Sequence, residues 1–250
     1  MKIFAISDLH LSENCNKPMN IFGPQWEGHF EKIKNDWNQK VQKEDVVLIA
    51  GDISWAMKLN EAIPDLELIS ALNGTKVIIR GNHDYWWQSI SAVRNILPSS
   101  IKALQNDSIT IGDFVICGTR GWTVPEIKEQ HKDESDEKIY KRELLRLELS
   151  LKNAHNLINY SSKGKIKEVQ NLEKSNLNKK LIVMLHYPPF NSKFEVSDFT
   201  RLLEKYNVNS VVYGHLHGKG SRIRLTHEIN GIKYYLTSCD KLNNKLIEIV

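Results

Sequence analysis

The chain has 250 residues, of which 41% are apolar and 26% are charged, and its formal net charge is +4. Such a composition is typical of a globular protein, and a chain of this length buries enough surface to need no disulfide bonds or structural metal for stability. The mild positive charge suits an anionic substrate but does not demand nucleic acid, because no basic stripe with interleaved aromatic residues is present.

Cysteine spacing and the lengths of the apolar runs argue against three further classes of protein. Cys15, Cys117 and Cys239 are far apart and show no CxxC spacing, which disfavours a disulfide framework and a zinc ribbon. The amino terminus lacks the apolar core of a signal peptide. No stretch approaches the roughly 18 apolar residues of a membrane span. We therefore expect a soluble cytoplasmic protein without a membrane partner.

Short apolar runs rich in valine and isoleucine recur along the chain, and each ends at polar or glycine residues. They are nearly continuous rather than alternating, which is typical of strands buried on both faces of a sheet. The clearest of these predicted strands are Lys2–Ile6, Val46–Ala50, Lys76–Ile79, Leu181–Leu185 and Ser210–Tyr213.

Amphipathic patterns between several of these strands predict helices over His29–Val41, Asn60–Leu72 and Ser197–Tyr206. The alternation of strands and helices favours a largely parallel or mixed sheet with helices packed on it. Turn signals at Gly112-Asp113 and Asn230-Gly231 predict two hairpins, and an edge strand is expected at the carboxyl terminus. These strands are Ser108–Ile111 with Phe114–Cys117, Ile223–Ile229 with Lys233–Thr237, and Lys245–Val250.

The segment Asp136–Ile158 carries apolar residues at alternating steps of four and three, which form one face of a long amphipathic helix. A lysine-rich polar stretch follows it. We interpret Thr123–Lys180 as a helical insertion or cap on a single domain that spans residues 1–250, not as a second domain.

Polar side chains directly follow five of the predicted strands. The carboxyl ends of strands in an open α/β sheet share one edge, and ligands bind in the crevice beyond it. Carboxylate, amide and imidazole groups would therefore meet in one place, and such a set suits Mn, Fe, Zn, Co or Ni. The segments are Asp8-Leu9-His10, Gly51-Asp52, Gly81-Asn82-His83-Asp84, His186-Tyr187-Pro188-Pro189 and Gly214-His215-Leu216-His217.

The spacing within these segments favours metal binding over five unrelated turns. Asp8 and His10 alternate along what we expect to be an extended segment, so both can face one ion, and His215 and His217 repeat that spacing. Asp52 has two carboxylate oxygens and can bridge two ions. The glycines that precede three of the ligand residues allow the backbone to turn sharply out of each strand.

The pattern DxH, GD, GNH[DE], H and GHxH resembles that of the calcineurin-like metallophosphoesterase superfamily, over nearly the whole chain. The resemblance implies a four-layer αββα sandwich, in which two mixed sheets pack together with helices outside. It also implies a centre of two divalent transition-metal ions. In that arrangement Asp8, His10, Asp52 and His217 hold one ion, Asp52, Asn82, His186 and His215 hold the other, and His83 faces the substrate without binding metal.

The implied reaction is hydrolysis of a phosphomonoester or phosphodiester by metal-bound hydroxide, since two ions can clamp both oxygens of an in-line displacement. His83 would stabilise the phosphoryl charge or protonate the leaving oxygen. Asp84, the next residue, is a candidate to orient His83. The GD motif does not continue as the GDxVDRG of protein Ser/Thr phosphatases, so the sequence is more similar to bacterial metallophosphoesterases of looser specificity.

The substrate class stays open at this stage. Tyr85, Trp86, Trp87 and Trp55 follow motif residues, and such rings could stack on a nucleobase; alternatively, Trp86 and Trp87 begin a helix and pack into the core. Arg120 follows a hairpin strand, where it either binds a substrate phosphate through two hydrogen bonds or anchors the following loop.

Three functions are compatible with these residues. The leading one is hydrolysis of a small phosphorylated substrate such as a nucleotide. The alternative is a nuclease of the same superfamily, although no dedicated DNA-binding domain follows the catalytic motifs. The third is a non-catalytic scaffold that binds a partner through Thr123–Lys180. It is disfavoured because degenerate members usually lose ligands, and none is missing here.

Overall fold

The structure is a computed structural model that describes residues 1–15, 17–126, 133–163, 179–218 and 224–250. Within these ranges it contains two mixed sheets. The first has five strands in the order β11-β1-β2-β3-β4, and the second has six in the order β5-β6-β7-β8-β10-β9. The strands of the first sheet are β1 (Ile3–Ile6), β2 (Val46–Ile49), β3 (Thr75–Ile78), β4 (Ile101–Ala103) and β11 (Ile247–Glu248).

In the second sheet the two predicted hairpins lie at opposite edges, where β5 pairs antiparallel with β6 and β9 with β10. Ile223, which was included in the second hairpin, lies outside the described residues. The strands of this sheet are β5 (Ser108–Ile111), β6 (Phe114–Thr119), β7 (Lys180–Leu185), β8 (Ser210–Tyr213), β9 (Thr226–Ile229) and β10 (Ile232–Leu236).

Four predicted helices are confirmed with small shifts of their ends, and a fifth was anticipated only in one interpretation of Trp86 and Trp87. The α-helices are α1 (His29–Lys40), α2 (Ile63–Ser70), α3 (Ile90–Ile96), α4 (Glu134–Lys163) and α5 (Asp198–Lys205). The predicted helix Asn60–Leu72 is divided, because a 3-10 turn covers Leu59–Ala62 and Pro64 occupies the first turn of α2, where its missing N–H is harmless. The fifth helix is α3, which begins at Ile90 and not at Trp86.

Strands buried on both faces account for the continuous apolar runs of the sequence. In β1, Ile3 and Ala5 point into the apolar layer between the sheets, whereas Phe4 and Ile6 point into a second layer under α1 and α2. The second sheet shares the central layer and packs its other face against α4 and α5. Four layers in the order helix, sheet, sheet, helix result, which confirms the predicted αββα sandwich.

The helix α4 covers the outer face of the second sheet. Its side chains Tyr140, Leu147, Leu151 and Ala154 are buried in the same apolar cluster as strands β6 and β7. The predicted apolar face is therefore confirmed, while the division of the chain into a core and an insertion stays a prediction. Part of that segment, residues 127–132 and 164–178, lies outside the described residues.

Two expectations drawn from composition can be compared with the fold. All three cysteines are free thiols, as the absence of paired spacing predicted. None of the helices in the described ranges is long and apolar enough to cross a membrane.

Candidate metal centre

The predicted ligand residues lie close together where the carboxyl-terminal ends of strands from both sheets meet. Strands β1, β2 and β3 are parallel neighbours in one sheet, and β7 and β8 are parallel neighbours in the other. Backbone groups join these ends: Nδ1 of His186 donates to the carbonyl of Ala50 at 2.9 Å, and the amide of His215 donates to the Asp8 carboxylate at 3.1 Å. Topology thus delivers residues that are more than 200 positions apart to one site.

The first group of potential ligands is Asp8, His10 and His217, whose donor atoms all lie within 4.8 Å of one another. Asp52 completes this group, since its Oδ2 lies 3.8 Å from Nε2 of His10. The imidazole of His10 is almost fully buried, yet among the described residues neither of its nitrogens has a hydrogen-bond partner.

The second group is centred on the side-chain oxygen of Asn82. This oxygen lies 2.6 Å from Nε2 of His186 and 2.8 Å from Nδ1 of His215. Nε2 of His186 is also 3.4 Å from Oδ2 of Asp52. Asp8, Asp52 and His186 form a set within 4.8 Å, so the geometry places Asp8 beside both groups, whereas the resemblance assigned it to one.

Buried atoms without partners show that a cation fits this arrangement. Oδ2 of Asp52 is buried and accepts no hydrogen bond from the described residues. The two ring nitrogens of His10 are also buried and have no hydrogen-bond partner among these residues. An unsatisfied buried polar group costs about 1–3 kcal/mol, so a cluster of them needs a partner of opposite polarity. Carboxylate, imidazole and amide oxygen are together a suitable donor set for a borderline divalent ion.

The backbone of the ligand residues is strained. The φ angles of Asp8, His10, Asp52 and His215 are 56°, 47°, 53° and 70°, and these residues make up four of the ten non-glycine residues with positive φ in the described ranges. Left-handed φ angles held by the surrounding structure cluster at functional sites. The expectation that Asp8 and His10 lie on an extended segment is therefore wrong: two left-handed residues, not strand alternation, bring their side chains together.

The glycines of the motifs act mainly through close approach. Gly51 has φ of 91°, as a sharp turn requires, and a Cβ there would lie 2.8 Å from the His186 ring. Gly81 and Gly214 have no left-handed φ, which corrects the turn explanation for them. A Cβ on Gly81 would instead overlap the Asp52 carboxylate, and one on Gly214 would overlap Ser7. These side chains can approach only where the chain has no Cβ.

Burial and charge set the protonation of the ligands. Burial lowers the pKa of His10 to about 4, and burial together with the nearby His186 lowers that of His215 to about 4. Burial alone would also lower the pKa of His186, but the Asp52 carboxylate outweighs it and raises this pKa to about 9. The same contact holds the pKa of Asp52 far below its usual range, although burial opposes it. Neutral imidazole and ionised carboxylate are the forms that bind metal, so His10, His215 and Asp52 favour binding, whereas His186 would lose a proton when it binds.

His83 lies beside the first group without belonging to it. Its ring centroid is 5.6 Å from that of His10 and 4.7 Å from that of Trp55. Its backbone amide donates to Oδ1 of Asp52 at 2.8 Å. Burial lowers the pKa of His83. This position matches the non-ligand role that the resemblance implies, which stays a prediction.

Asp84 does not orient His83, contrary to the interpretation drawn from sequence. Its fully buried carboxylate accepts hydrogen bonds from four backbone amides and from the indole of Trp86, and none of them comes from the His83 side chain. The amides are those of Gly81 at 2.7 Å, Asp52 at 2.9 Å, Ile53 at 2.8 Å and Ser54 at 3.2 Å. Asp84 thereby ties the GD loop to the GNH loop, although burial and the Asp52 charge raise its pKa to about 6.

The aromatic residues near the motifs mostly support the site from within. Trp86 and Trp87 are buried, so neither is available to a nucleobase, and the helix begins only at Ile90, where Ser89 caps it. The prediction that they begin a helix was wrong, while their packing into the core is confirmed. Trp55 stacks on His10 with ring centroids 4.7 Å apart and holds that ligand in place.

Arg120 lies behind the second group. Its guanidinium is 3.5 Å from the buried carboxylate of Glu143 and stacks on Trp122, with its central carbon 5.0 Å from the ring centroid. Its backbone carbonyl accepts hydrogen bonds from the amides of His186 and Tyr187, both at 3.0 Å. Arg120 therefore anchors the loop, as one of its two interpretations proposed, and contact with a substrate phosphate stays a prediction.

Ser7 was not identified from the sequence. Its buried hydroxyl donates to Oδ2 of Asp8 at 2.6 Å and accepts from the hydroxyl of Thr237 at 3.0 Å. These bonds orient a ligand carboxylate, as groups behind metal ligands commonly do. Its position directly before Asp8 was the only available signal, and a serine at the end of a strand is too common to be informative.

Comparisons of sequence and of structure identify several proteins that are similar to this chain. An uncharacterized protein of Methanocaldococcus jannaschii, MJ1445, is 36% identical over 97 residues, which make up 37% of this chain and 52% of that protein. The chain thus spans about half the length of that relative. TT1561 of Thermus thermophilus has a similar structure, with a TM-score of 0.56 and 12% identity over 98% of this chain and 96% of its own. Phosphopantetheinyl hydrolase (PptH) of Mycobacterium tuberculosis gives a TM-score of 0.49 and 13% identity over 100% and 95%.

At these identities the solved structures concern the fold alone, and the family match carries the assignment. A model of the family described as calcineurin-like phosphoesterase matches residues 1–219, which include every predicted ligand and His83. Members of this family bind divalent metal ions and are generally hydrolases. Because the match covers most of the 250 residues, the chain belongs to the calcineurin-like phosphoesterase family.

Proposed function

We propose that this protein hydrolyses phosphate esters at a centre of two divalent transition-metal ions. The observation that carries the proposal is the shared carboxylate: Oδ2 of Asp52 lies 3.8 Å from Nε2 of His10 and 3.4 Å from Nε2 of His186. One buried, unpartnered oxygen thus faces both ligand groups. Asp8, His10, Asp52 and His217 would hold one ion, and Asp52, Asn82, His186 and His215 the other.

When bound, two such ions would supply Lewis acidity that polarises a phosphoryl oxygen and lowers the pKa of a coordinated water. The residues of the chain supply orientation. Ser7 and the amide of His215 fix the Asp8 carboxylate, and the carbonyl of Ala50 fixes the ring of His186. Because these partners are themselves buried in the sandwich, the ligands need little rearrangement before the reaction.

His83 is proposed as the proton donor to the leaving oxygen. Its Nδ1 is buried without a partner among the described residues, and Trp55 packs against its ring. The lowered pKa would keep His83 largely neutral at pH 7, but the negative charge of a bound phosphate ester favours the protonated form. The five motif segments contain no cysteine or serine that could act as a nucleophile, so we propose direct displacement without a phosphoenzyme.

The test is an assay of the Mn- and Zn-loaded protein on p-nitrophenyl phosphate, bis(p-nitrophenyl) phosphate and single-stranded DNA. Asp52→Asn should reduce hydrolysis at least about 100-fold, because it weakens the residue that serves both ligand groups. Asp113→Asn makes the same chemical change in the exposed β5–β6 turn and should leave the rate unchanged. Activity that is equal in both variants, or absent with every ester and metal, would refute the proposal; cleavage of DNA alone would favour the nuclease.

A further inference from the structure

A cavity of about 240 Å³ is lined by four arginines, one of which belongs to the loop that also carries Asn82. They come from three separate parts of the chain: the loop after β3, the loop after β6 and the exposed side of α4. We call it the arginine cavity and define it by these residues: Arg80, Arg120, Arg142 and Arg146. Among the described residues that line it, Glu143 is the only carboxylate.

The positive charges of this cavity are not balanced. Glu143 is fully buried and lies 2.6 Å from Arg146, 3.4 Å from Arg142 and 3.5 Å from Arg120. A single carboxylate leaves a net charge of +3 on the four guanidinium groups and the Glu143 side chain. Nε of Arg80 is buried and has no hydrogen-bond partner among the described residues. The side chains of Arg142 and Arg146 are 51% and 38% exposed, so water screens part of this surplus, but the buried Nε of Arg80 lacks an acceptor that a bound anion would supply.

The arginine cavity adjoins the metal ligands through the backbone. Arg80 is two residues before Asn82, so their Cα atoms lie within about 7 Å. The carbonyl of Arg120 accepts hydrogen bonds from the amides of His186 and Tyr187 at 3.0 Å. Each of these two guanidinium groups therefore extends from a segment that also positions a metal ligand.

Four guanidinium groups around a concave site match the chemistry of phosphate better than that of a single carboxylate. Each guanidinium presents planar N–H donors that pair with two oxygens of a phosphate. From this cavity we infer that the substrate is a small molecule with two phosphoryl groups, one hydrolysed at the metal centre and the other held by the arginines. The inference rests on the proposed phosphoesterase function and specifies its substrate class.

Matched esters test this inference on the metal-loaded enzyme. Adenosine 3′,5′-bisphosphate is compared with adenosine 5′-monophosphate, and fructose 1,6-bisphosphate with fructose 6-phosphate. The wild type should have a kcat/KM at least about tenfold higher for the bisphosphate of at least one pair. The double variant Arg142→Gln/Arg146→Gln should reduce that preference, measured as the ratio of kcat/KM for the bisphosphate to kcat/KM for the monophosphate, about 10- to 100-fold.

Two controls separate the arginine cavity from general effects of charge and folding. Arg201→Gln removes a guanidinium from the exposed face of α5, where it pairs with Asp198, and should leave the preference intact. Arg142→Gln alone retains the 2.6 Å contact of Arg146 with Glu143 and therefore keeps the buried carboxylate paired. It should lower the preference in the same direction as the double variant, even if the double variant is less stable.

The outcomes distinguish failure of the inference from failure of the proposed function. Hydrolysis of p-nitrophenyl phosphate without any bisphosphate preference, or a preference that survives the double variant, would overturn the inference and leave the phosphoesterase function standing. If no ester is hydrolysed, calorimetric titration of the metal-free protein with inorganic pyrophosphate decides. Binding that weakens at least about tenfold in the double variant would support a phosphoryl site, and no binding would overturn it.

Discussion

The buried carboxylate of Asp84 offers the sharpest test of how this site is held together. It accepts five hydrogen bonds, from four backbone amides and from the indole of Trp86. Asp84→Asn would turn one acceptor oxygen into an NH₂ donor. Either that group faces the amides of Gly81 and Asp52, or it faces the other three donors. At least two buried N–H groups then lose their acceptor, at about 1–3 kcal/mol each, so we expect a loss of about 2–6 kcal/mol.

Urea unfolding of the purified variant measures this loss, and metal titration provides a second readout. Because Asp84 joins the loops that carry Asp52 and Asn82, the variant should also bind metal about 10- to 100-fold more weakly. Asp113→Asn is the matched control, and a change of less than about 0.5 kcal/mol is expected for an exposed turn. If the two variants unfold within about 0.5 kcal/mol of each other and bind metal equally, Asp84 does not hold the loops together.

Three further predictions concern the metals and the proton donor. Elemental analysis of the protein saturated with Mn or Zn should find about two ions per chain, and a value near zero would remove the metal centre. Asp52→Ala should lower the occupancy of both sites in anomalous scattering, whereas His186→Ala should lower mainly one; equal single-site losses would exclude a bridging Asp52. His83→Ala should slow hydrolysis of an alkyl phosphate about 10²- to 10⁴-fold but affect p-nitrophenyl phosphate far less, with metal content unchanged. Equal losses on both esters would exclude the proton-donor role.

The clustering of the ligand residues at one edge of the sheets could be predicted from the sequence, because it follows from the order and direction of the strands. Parallel strands place their carboxyl ends at one edge, and polar residues after continuous apolar runs mark those ends. Short elements could not be predicted in this way. Strand β4 has only three residues, with Lys102 exposed between two buried neighbours, and helix α3 depends on a cap at Ser89.

The directions in which individual side chains point also could not be predicted from the sequence. Asp84 follows His83 in sequence, but the turn aims its carboxylate at amides of two loops, and only tertiary structure reveals those donors. The left-handed φ angles of Asp8 and His10 likewise accompany contacts with the loop after β2, where the amide of His10 donates to the carbonyl of Asp52 at 3.0 Å. Aspartate and histidine adopt left-handed φ more often than most residues, but only in a minority of cases, so their identity alone does not predict this conformation.

Helix α4 has two roles that a deletion could not separate. On one face Tyr140, Leu147 and Leu151 fill the core against the second sheet, so replacing the Thr123–Lys180 segment by a linker would expose that core. On the other side the same helix carries two guanidinium groups of the arginine cavity. Loss of activity after deletion would therefore follow from unfolding as readily as from loss of specificity. Substitution of the partly exposed arginines changes the charge of the arginine cavity and leaves the apolar face of α4 intact. The contribution of this segment to substrate specificity should therefore be measured with those variants and not with a deletion.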